Sequence, residues 1–381
     1  MTQRRGGGRA VWSEVDLDAV RDNVRALCEL VAPAQMLAVV KANGYGHGAA
    51  PVARAALEAG APWLGVARVE EGVQLRSHGI DAPVLLLSEP PVSAAEAVVT
   101  HSITPVVYTQ AGIDALAKAV ASFGGKDRLS VHLKVDTGMH RVGCDPSAAL
   151  ALVERIHAST ELDLAGVCTH LAVADEPDHP YTDQQLAQFD AVIEAVRAAG
   201  HDPGIVHAAN SAAALRNPGA RHDLVRIGIA MYGLPPGLAG DRYAGSVTLR
   251  PALSLHARVM MVRELDAGER VSYGLRYELE RPGRIATVSA GYADGVPRSL
   301  GLSGGEVLVR GHRRPIVGIV TMDQLMVDVG DVVVDVGEEV VLIGRQGDDE
   351  ITATEWADHL DTISYEVVTG IGARVARTYK G

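Results

Sequence analysis

Two textures of apolar residues divide the chain. From about residue 16 to 235, short apolar runs alternate with amphipathic stretches. Leu17, Val20, Val24, Leu27 and Val31 recur at three and four residues, which predicts a helix with Asp16 as its N-cap. The run Met36-Leu-Ala-Val-Val-Lys41 stays apolar until its lysine and predicts a strand. Further strands are predicted at Trp63–Ala67, Pro83–Ser88, Thr104–Val107, Ser130–Asp136, Leu164–Thr169, Ile205–Ala208 and Leu224–Ile227. Between them lie helical patterns such as Leu186, Phe189, Ile193 and Val196, with Gly200 placed to end the helix. Strands that are apolar throughout fit burial on both faces of a parallel sheet. Eight of them in βαβ succession predict an α/β fold, an N-terminal (β/α)8 TIM-type barrel. No G-x-G-x-x-G follows the first strand, which argues against a dinucleotide site.

After Pro235-Pro236 the pattern changes to β-branched runs separated by turn residues. Glu306–Arg310, Arg314–Val320, Leu325–Val329 and Glu339–Ile343 are examples, with turns at Ser303-Gly-Gly305, Gly330-Asp331 and Gly337. A mainly antiparallel β domain is expected here, with its boundary near 235–247. The expected division is a barrel over 14–238 and a β domain over 239–381, joined by residues 9–13.

Composition narrows the class. With 381 residues, two domains are expected. The net charge of −12 argues against non-specific nucleic-acid binding and against docking on anionic lipid. Cys28, Cys144 and Cys168 have spacings that suit neither a disulfide framework nor zinc, and a reducing cytoplasm fits them. The basic, glycine-rich start, Met1 to Arg9, is not followed by an apolar segment of the kind a signal peptide carries. No apolar run approaches the ~20 residues of a spanning helix.

Reactive groups of a β/α barrel lie past the C-terminal ends of its strands. The first strand there offers Lys41 and a glycine-rich segment through Gly48. The fifth offers Lys134, Asp136, Thr137 and Arg141, and the sixth His170 and Asp175. The seventh offers His207, Asn210 and Ser211, and the eighth Arg226, Gly228 and Ile229. A metal cage is disfavoured, because carboxylates are few and the histidines lack ligand spacing. A serine hydrolase is disfavoured too, since Ser211 lacks the G-x-S-x-G elbow. A lysine ending an apolar strand loses hydration, which lowers its pKa and leaves more of it nucleophilic, as an imine to an aldehyde cofactor requires. Any one such lysine more often simply reaches solvent. Ser211 and the Gly228-Ile229 backbone, offering donors to a phosphate, strengthen the cofactor reading.

A series of segments then becomes recognisable. Ala38-Val-Val-Lys-Ala-Asn-Gly-Tyr-Gly-His-Gly48 resembles the cofactor-lysine signature of the alanine racemases. Leu133-Lys-Val-Asp-Thr-Gly-Met-His-Arg-Val-Gly143, Thr169-His170, Ala174-Asp-Glu176, His207-Ala-Ala-Asn-Ser211 and Arg226-Ile-Gly-Ile-Ala-Met-Tyr-Gly233 follow in that family's order. So do Val271-Ser-Tyr-Gly274, Ala290-Gly-Tyr-Ala-Asp-Gly295, Met322-Asp-Gln324 and Thr362-Ile-Ser-Tyr-Glu366. The resemblance runs from residue 11 to 378.

It implies pyridoxal 5'-phosphate as cofactor, interconversion of L- and D-alanine, and a head-to-tail homodimer with shared sites. Lys41 would carry the cofactor. Tyr45, Ser211, Gly228, Ile229 and Tyr365 would hold its phosphate, with Asn210 and His170 alongside. Arg226 would face the pyridine nitrogen, where a group that only donates cannot take up its proton. Tyr273, lent by the other subunit, would be the second base opposite Lys41, since racemisation needs proton traffic on both faces of Cα. A free phenol titrates near ~10, and a chain from Tyr273 through His170 to Arg226 would lower that. Arg141, Met322, Asp323 and Tyr292 would meet the substrate. Lys134 would be carbamylated, turning a cation beside Arg141 into an anion. One departure stands out: Gly318-Ile-Val-Thr-Met-Asp323 has Ile319 where the family often has an arginine lining the substrate corridor with groups matching Asp175 and Arg298. This puts corridor electrostatics and substrate range in doubt. A serine racemase, a related barrel decarboxylase and a non-catalytic cofactor-binding barrel stand as alternatives; the Tyr273 segment favours a racemase.

Overall fold

The computed structural model describes residues 10–124, 127–237 and 247–381. The expected boundary near 235–247, the basic stretch Met1 to Arg9, and residue 9 of the N-terminal addition fall wholly or partly outside them. Two compact units emerge: one holds Ala10–Ala19 and Arg250–Gly381, the other Val20–Gly237 with Val247–Leu249.

Strand β1 (Val11–Asp16) opens the first of these units and runs into the helix Leu17–Val31, which begins where the Asp16 carboxylate accepts from the Ala19 N–H at 2.9 Å. The second unit is the barrel. Its strands are β2 (Gln35–Val39), β3 (Trp63–Val66), β4 (Val84–Leu86), β5 (Thr104–Val107), β6 (Leu129–Lys134), β7 (Leu162–Cys168), β8 (Ile205–His207) and β9 (Leu224–Ile227). All pair in parallel, in the order β8-β7-β6-β5-β4-β3-β2-β9. The seam between β8 and β9 is nearly closed by the Asp223 N–H donating to the Val206 carbonyl and the Arg226 N–H to that of Ala209, both at 3.0 Å. Leu37, Leu64, Leu85, Val106, Leu133, Val167 and Val225 are buried on these strands. Each such side chain contributes roughly 1.5–3 kcal/mol through removal from water. Their burial on both faces is why the strands read as unbroken apolar runs. The helix predicted around Phe189 spans Tyr181–Ala198, and Gly200 beyond it takes φ 86°.

The remaining strands belong to the first unit: β10 (Leu253–Leu265), β11 (Arg270–Val271), β12 (Tyr277–Glu278), β13 (Gly283–Val288), β14 (Glu306–Val309), β15 (His312–Val317), β16 (Leu325–Gly330), β17 (Glu339–Gln346), β18 (Asp349–Ile351) and β19 (Ala376–Lys380). The order β17-β14-β15-β16-β13-β10 closes on itself because β10 also pairs with β17. The result is an antiparallel barrel of six strands. An irregularity between Val259 and Met261 bends β10, so that one long strand serves several neighbours. On its outer flank β10 pairs with β1, and β1 pairs in parallel with β19. Among the described residues, no helix is long and apolar enough to cross a membrane.

Candidate active site

The strand carrying the lysine ends at Val39, one residue earlier than its apolar run suggests. The Val40 N–H still reaches the Gly65 carbonyl at 2.8 Å, and the backbone then leaves the ladder. Lys41 heads a left-handed turn in which Ala42, Asn43, Gly44 and Tyr45 take φ of 52°, 53°, 62° and 51°. Residues with a Cβ adopt this region singly, not in runs, so the turn must be held from outside. Glu71 does much of this: one carboxylate oxygen accepts from the Ala42 N–H at 2.6 Å, the other from Ala67 at 2.8 Å and Arg68 at 3.1 Å. Asn43 adds an Oδ1 that accepts from the Ala49 N–H at 3.1 Å. Burial lowers the Lys41 ammonium below its ordinary range, the positive charge of Arg141 adds to this, and Glu71 opposes it.

A second cluster forms where β8 and β9 end. The Ser211 hydroxyl accepts from the Gly228 N–H at 2.9 Å, which leaves its own proton free to donate. A Cβ at Gly228 would lie 2.4 Å from the Tyr45 hydroxyl, so only glycine lets that phenol approach the turn. Burial, with the Glu71 charge adding, pushes the Tyr45 phenol up to about 12 and keeps it a neutral donor. Its ring packs 5.1 Å from that of Tyr232, whose hydroxyl donates to the Val39 carbonyl at 3.1 Å. Ile229 is fully buried. Asn210 commits its Oδ1 to capping the helix Ser211–Arg216, accepting from Ala213 at 3.0 Å. Hydroxyls and N–H groups around a trimmed backbone fit a phosphate.

Arg226 sits deep between β7 and β9. Its Nη2 donates to the carbonyls of Thr169 (2.8 Å) and Ala208 (2.9 Å) and to His170 Nδ1 (3.1 Å). Its Nη1 donates to the His207 carbonyl (3.2 Å) and to His207 Nδ1 (3.0 Å). Because guanidinium only donates, both rings must accept. His207 therefore carries its proton on Nε2 and directs it to His132 Nδ1 at 2.9 Å. All three rings are held neutral, by burial first and by the Arg226 charge next, with His132 brought down to about 4. No carboxylate accepts from Arg226 among the described residues.

Lys134, at the end of β6, is buried and not a solvated partner of Asp136. It lines one small pocket with Arg141, Met139 and His170. Burial brings its ammonium down to about 8; Cys168 opposes the shift, while Arg226, Arg141 and Lys41 add to it. Asp175 presents its carbonyl to Arg216 at 2.9 Å.

The other predicted site residues belong to the β unit. Tyr273, Tyr292 and Met322 are exposed there, at 71%, 43% and 53%. One segment, 318–323, ties them together. The Ile319 carbonyl accepts from the Ser272 hydroxyl, and the Thr321 and Met322 carbonyls accept from the Tyr292 and Ala293 N–H groups at 3.0 Å. Arg374 fastens the end of this segment, bridging Asp323 and the buried Asp294 at 2.7 Å each. The Ile319 side chain is buried. Tyr365 lies on the helix Ser364–Thr369.

The sequence reading did not single out Glu71, His132, Tyr232, Ser272, Asp294 or Arg374. Glu71 and Asp294 carried a local signal, each as an acid three residues into a helical start. Tyr232, Ser272 and Asp294 lie within the family segments, but their contacts with Val39, Ile319 and Arg374 are made at long range.

A parallel barrel with a desolvated strand-end lysine, a hydroxyl-lined cradle beside it and an arginine that meets no carboxylate among the described residues fits a lysine-centred barrel enzyme. Comparison with known proteins gives the family. The model of the alanine racemase N-terminal domain matches residues 15–236 and that of the C-terminal domain residues 252–379. The chain belongs to the alanine racemase family, whose members are pyridoxal-phosphate-dependent isomerases. It is 51% identical to an alanine racemase of Symbiobacterium thermophilum over 98% of both chains. Among solved structures, alanine racemase from Bacillus anthracis with bound L-Ala-P is 41% identical, with a TM-score of 0.90 and coverage of 98% of this chain and 95% of that one. Alanine racemase from Bartonella henselae with covalently bound pyridoxal phosphate is 32% identical, with a TM-score of 0.85 and coverage of 98% and 100%.

Proposed function

We propose that this protein interconverts L- and D-alanine with two bases, Lys41 on one face of Cα and Tyr273 from a second copy of the chain on the other. The carrying observation is the joint presence, in one barrel, of a desolvated Lys41 and a buried Arg226 without a carboxylate. Pyridoxal phosphate, when bound, supplies an aldehyde carbon for an amino group and an electron-poor ring that draws the electron pair left at Cα. Lys41 would hold it covalently; Ser211, Tyr45, Gly228 and Ile229 would hold its phosphate, with Tyr365 completing the set and Asn210 steadying the helix behind Ser211. Arg226, which only donates, would engage the ring nitrogen in its unprotonated form, where a carboxylate would hold it protonated, and so would favour return of the proton to Cα. Lys41 Nζ, lowered by burial, takes or returns the proton on its face. Tyr273 Oη does so on the other, with His170 between it and Arg226. Arg141 and the Met322–Asp323 turn grip the substrate carboxylate, and Tyr292 borders it.

This reading requires a head-to-tail homodimer, since the β-unit face bearing Tyr273, Tyr292 and Met322 is exposed in the single chain. It also places the enzyme in the cytoplasm, supplying D-alanine for peptidoglycan. Lys134 carries a carbamate: its neutral amine attacks carbon dioxide, a carbon–oxygen π pair moves to oxygen, and a proton leaves to solvent. A Lys134 value of about 8 leaves neutral amine available at physiological pH. Carbon-13 bicarbonate gives a carbamate resonance in the parent protein and none in Lys134→Ala; a bare amine in both removes this step.

The overall test is incubation of the cofactor-loaded protein with each enantiomer of alanine and serine in deuterated water. Racemisation of alanine with exchange at Cα supports the proposal. Carbon dioxide release instead selects a decarboxylase, and faster turnover of serine moves the substrate.

A further inference from the structure

We infer that Ser272 is a positioning residue for Tyr273, its hydroxyl clamping a backbone conformation that only glycine adopts freely and so aiming the phenol. The inference deepens the two-base reading and rests on it. Ser272 has φ 68° and ψ −179°, a combination of positive φ with extended ψ that is essentially confined to glycine. Gly274, on the other side of Tyr273, has φ 74°, and Leu275 has φ 50°. Tyr273 is thus held between two residues of left-handed φ, with the Leu275 N–H closing the turn onto the Ser272 carbonyl at 3.1 Å.

Such a conformation survives at serine only if its surroundings dictate it. Two features do. The Ser272 hydroxyl donates to the Ile319 carbonyl at 2.6 Å. Across from it, Gly318 takes φ 71°, and a Cβ there would lie 2.7 Å from the Ser272 Cβ and 3.0 Å from the Val271 carbonyl oxygen. The opposing segment is trimmed to let Ser272 close against it. Beneath the turn, Val271 packs with Leu279, Ile285 and Val317, which roots it in the β unit.

Simple satisfaction of the Ile319 carbonyl would not require a left-handed residue. Glycine at 272 would remove the strain; serine retains it together with the clamp. The clamp also explains why Ile319 leaves this part of the machinery intact. Position 319 contributes its carbonyl oxygen, and any side chain supplies that.

The test uses the cofactor-loaded enzyme and measures removal of the Cα proton from L-alanine and from D-alanine separately, in deuterated water. Ser272→Ala keeps the Cβ that makes this backbone costly and loses the clamp that holds it; Ser272→Gly loses both the cost and the clamp. Each is expected to slow proton removal from the enantiomer that Tyr273 serves by about tenfold or more, with a far smaller change for the other, as misplacement by about an ångström can cost ~10²-fold. In a Tyr273→Phe background, Ser272→Ala adds no further asymmetry. Equal losses for both enantiomers, or a fully active Ser272→Gly, overturn the inference. Should the position 272 variants fail to assemble, Gly318→Ala presses on the same clamp and must give the same asymmetry. If Tyr273→Phe itself shows no asymmetry, the two-base reading fails. If Tyr273→Phe shows it and Ser272→Ala does not, only the role of Ser272 falls.

Discussion

The turns carrying Lys41 and Tyr273 share a device and differ in how far one chain completes it. Both set a functional side chain beside backbone of positive φ, and both hold that backbone with a side-chain oxygen from a polar residue. The lysine turn is finished within its own unit. Glu71 clamps it, burial lowers the ammonium, and Arg141 adds to the shift. The tyrosine turn is equally well braced, by Ser272, Gly318 and the Val271 cluster, yet its phenol is 71% exposed. Rigidity and environment are thus separable. The chain itself builds the geometry of both turns, but desolvates only one of the two proposed proton carriers.

The largest effect expected is from Lys41→Ala. It removes the group proposed to serve both as cofactor anchor and as base, so racemisation should fall by more than ~10⁴-fold, followed by the optical rotation of alanine. The imine absorbance should vanish with it. Retention of both would erase the contrast between the turns. Tyr273→Phe leaves packing almost unchanged and should cost about 10²–10⁴-fold in proton removal from one enantiomer only, read by deuterium wash-in. Equal losses would mean that a single base serves both faces.

Lys134→Met tests what desolvation costs on the lysine side. The folded Lys134 titrates at about 8 against a usual 10.5, so the folded state binds fewer protons between those values. Stability therefore rises as pH climbs through that window, and the penalty is complete below pH 8. Lys134→Met should accordingly raise stability at pH 7 by about 1–3 kcal/mol in carbon-dioxide-free buffer, with the gain fading above pH ~10 in urea titrations. An unchanged midpoint at pH 7 would put the ammonium in contact with water. A comparable effect is expected from Glu71→Gln, at about 1–3 kcal/mol of stability, because the amide keeps one acceptor oxygen and turns an NH2 toward an N–H that had been satisfied. The lost carboxylate was raising the lysine, so the pH midpoint for capture of pyridoxal phosphate by the apoprotein should move down. A midpoint that moves up would contradict the sign of that interaction.

The barrel was legible because β5 and β9 are buried on both faces and their apolar runs match the observed spans residue for residue. β1 was harder to read. Its burial is mixed along Val11–Asp16, with Trp12 and Ser13 buried in succession, and its partners β10 and β19 lie more than two hundred residues away. The strand-end rule and the family resemblance together picked out Lys41, Lys134, His170, Ser211 and Arg226. They passed over His132, which lies within β6 and matters through a ring bond to His207 that no local pattern encodes. The departure at Ile319 looked like a lost corridor charge in the sequence. In the fold the side chain is buried and the carbonyl is what touches the tyrosine turn.

The place of β1 bears on how this protein is made. Ser13 accepts a hydrogen bond from Thr378, across 365 positions of chain, and β19 lies along β1. At about 5–20 residues per second of synthesis, the segment holding Ser13 waits tens of seconds for that partner, long after residues 20–237 have emerged. Its other strand partner, β10, is made before β19, so one edge of β1 is covered first while the other stays open until β19 follows. Clipping Ala376–Lys380 would leave β1 with a bare outer edge, and the first symptom should be clumping during expression.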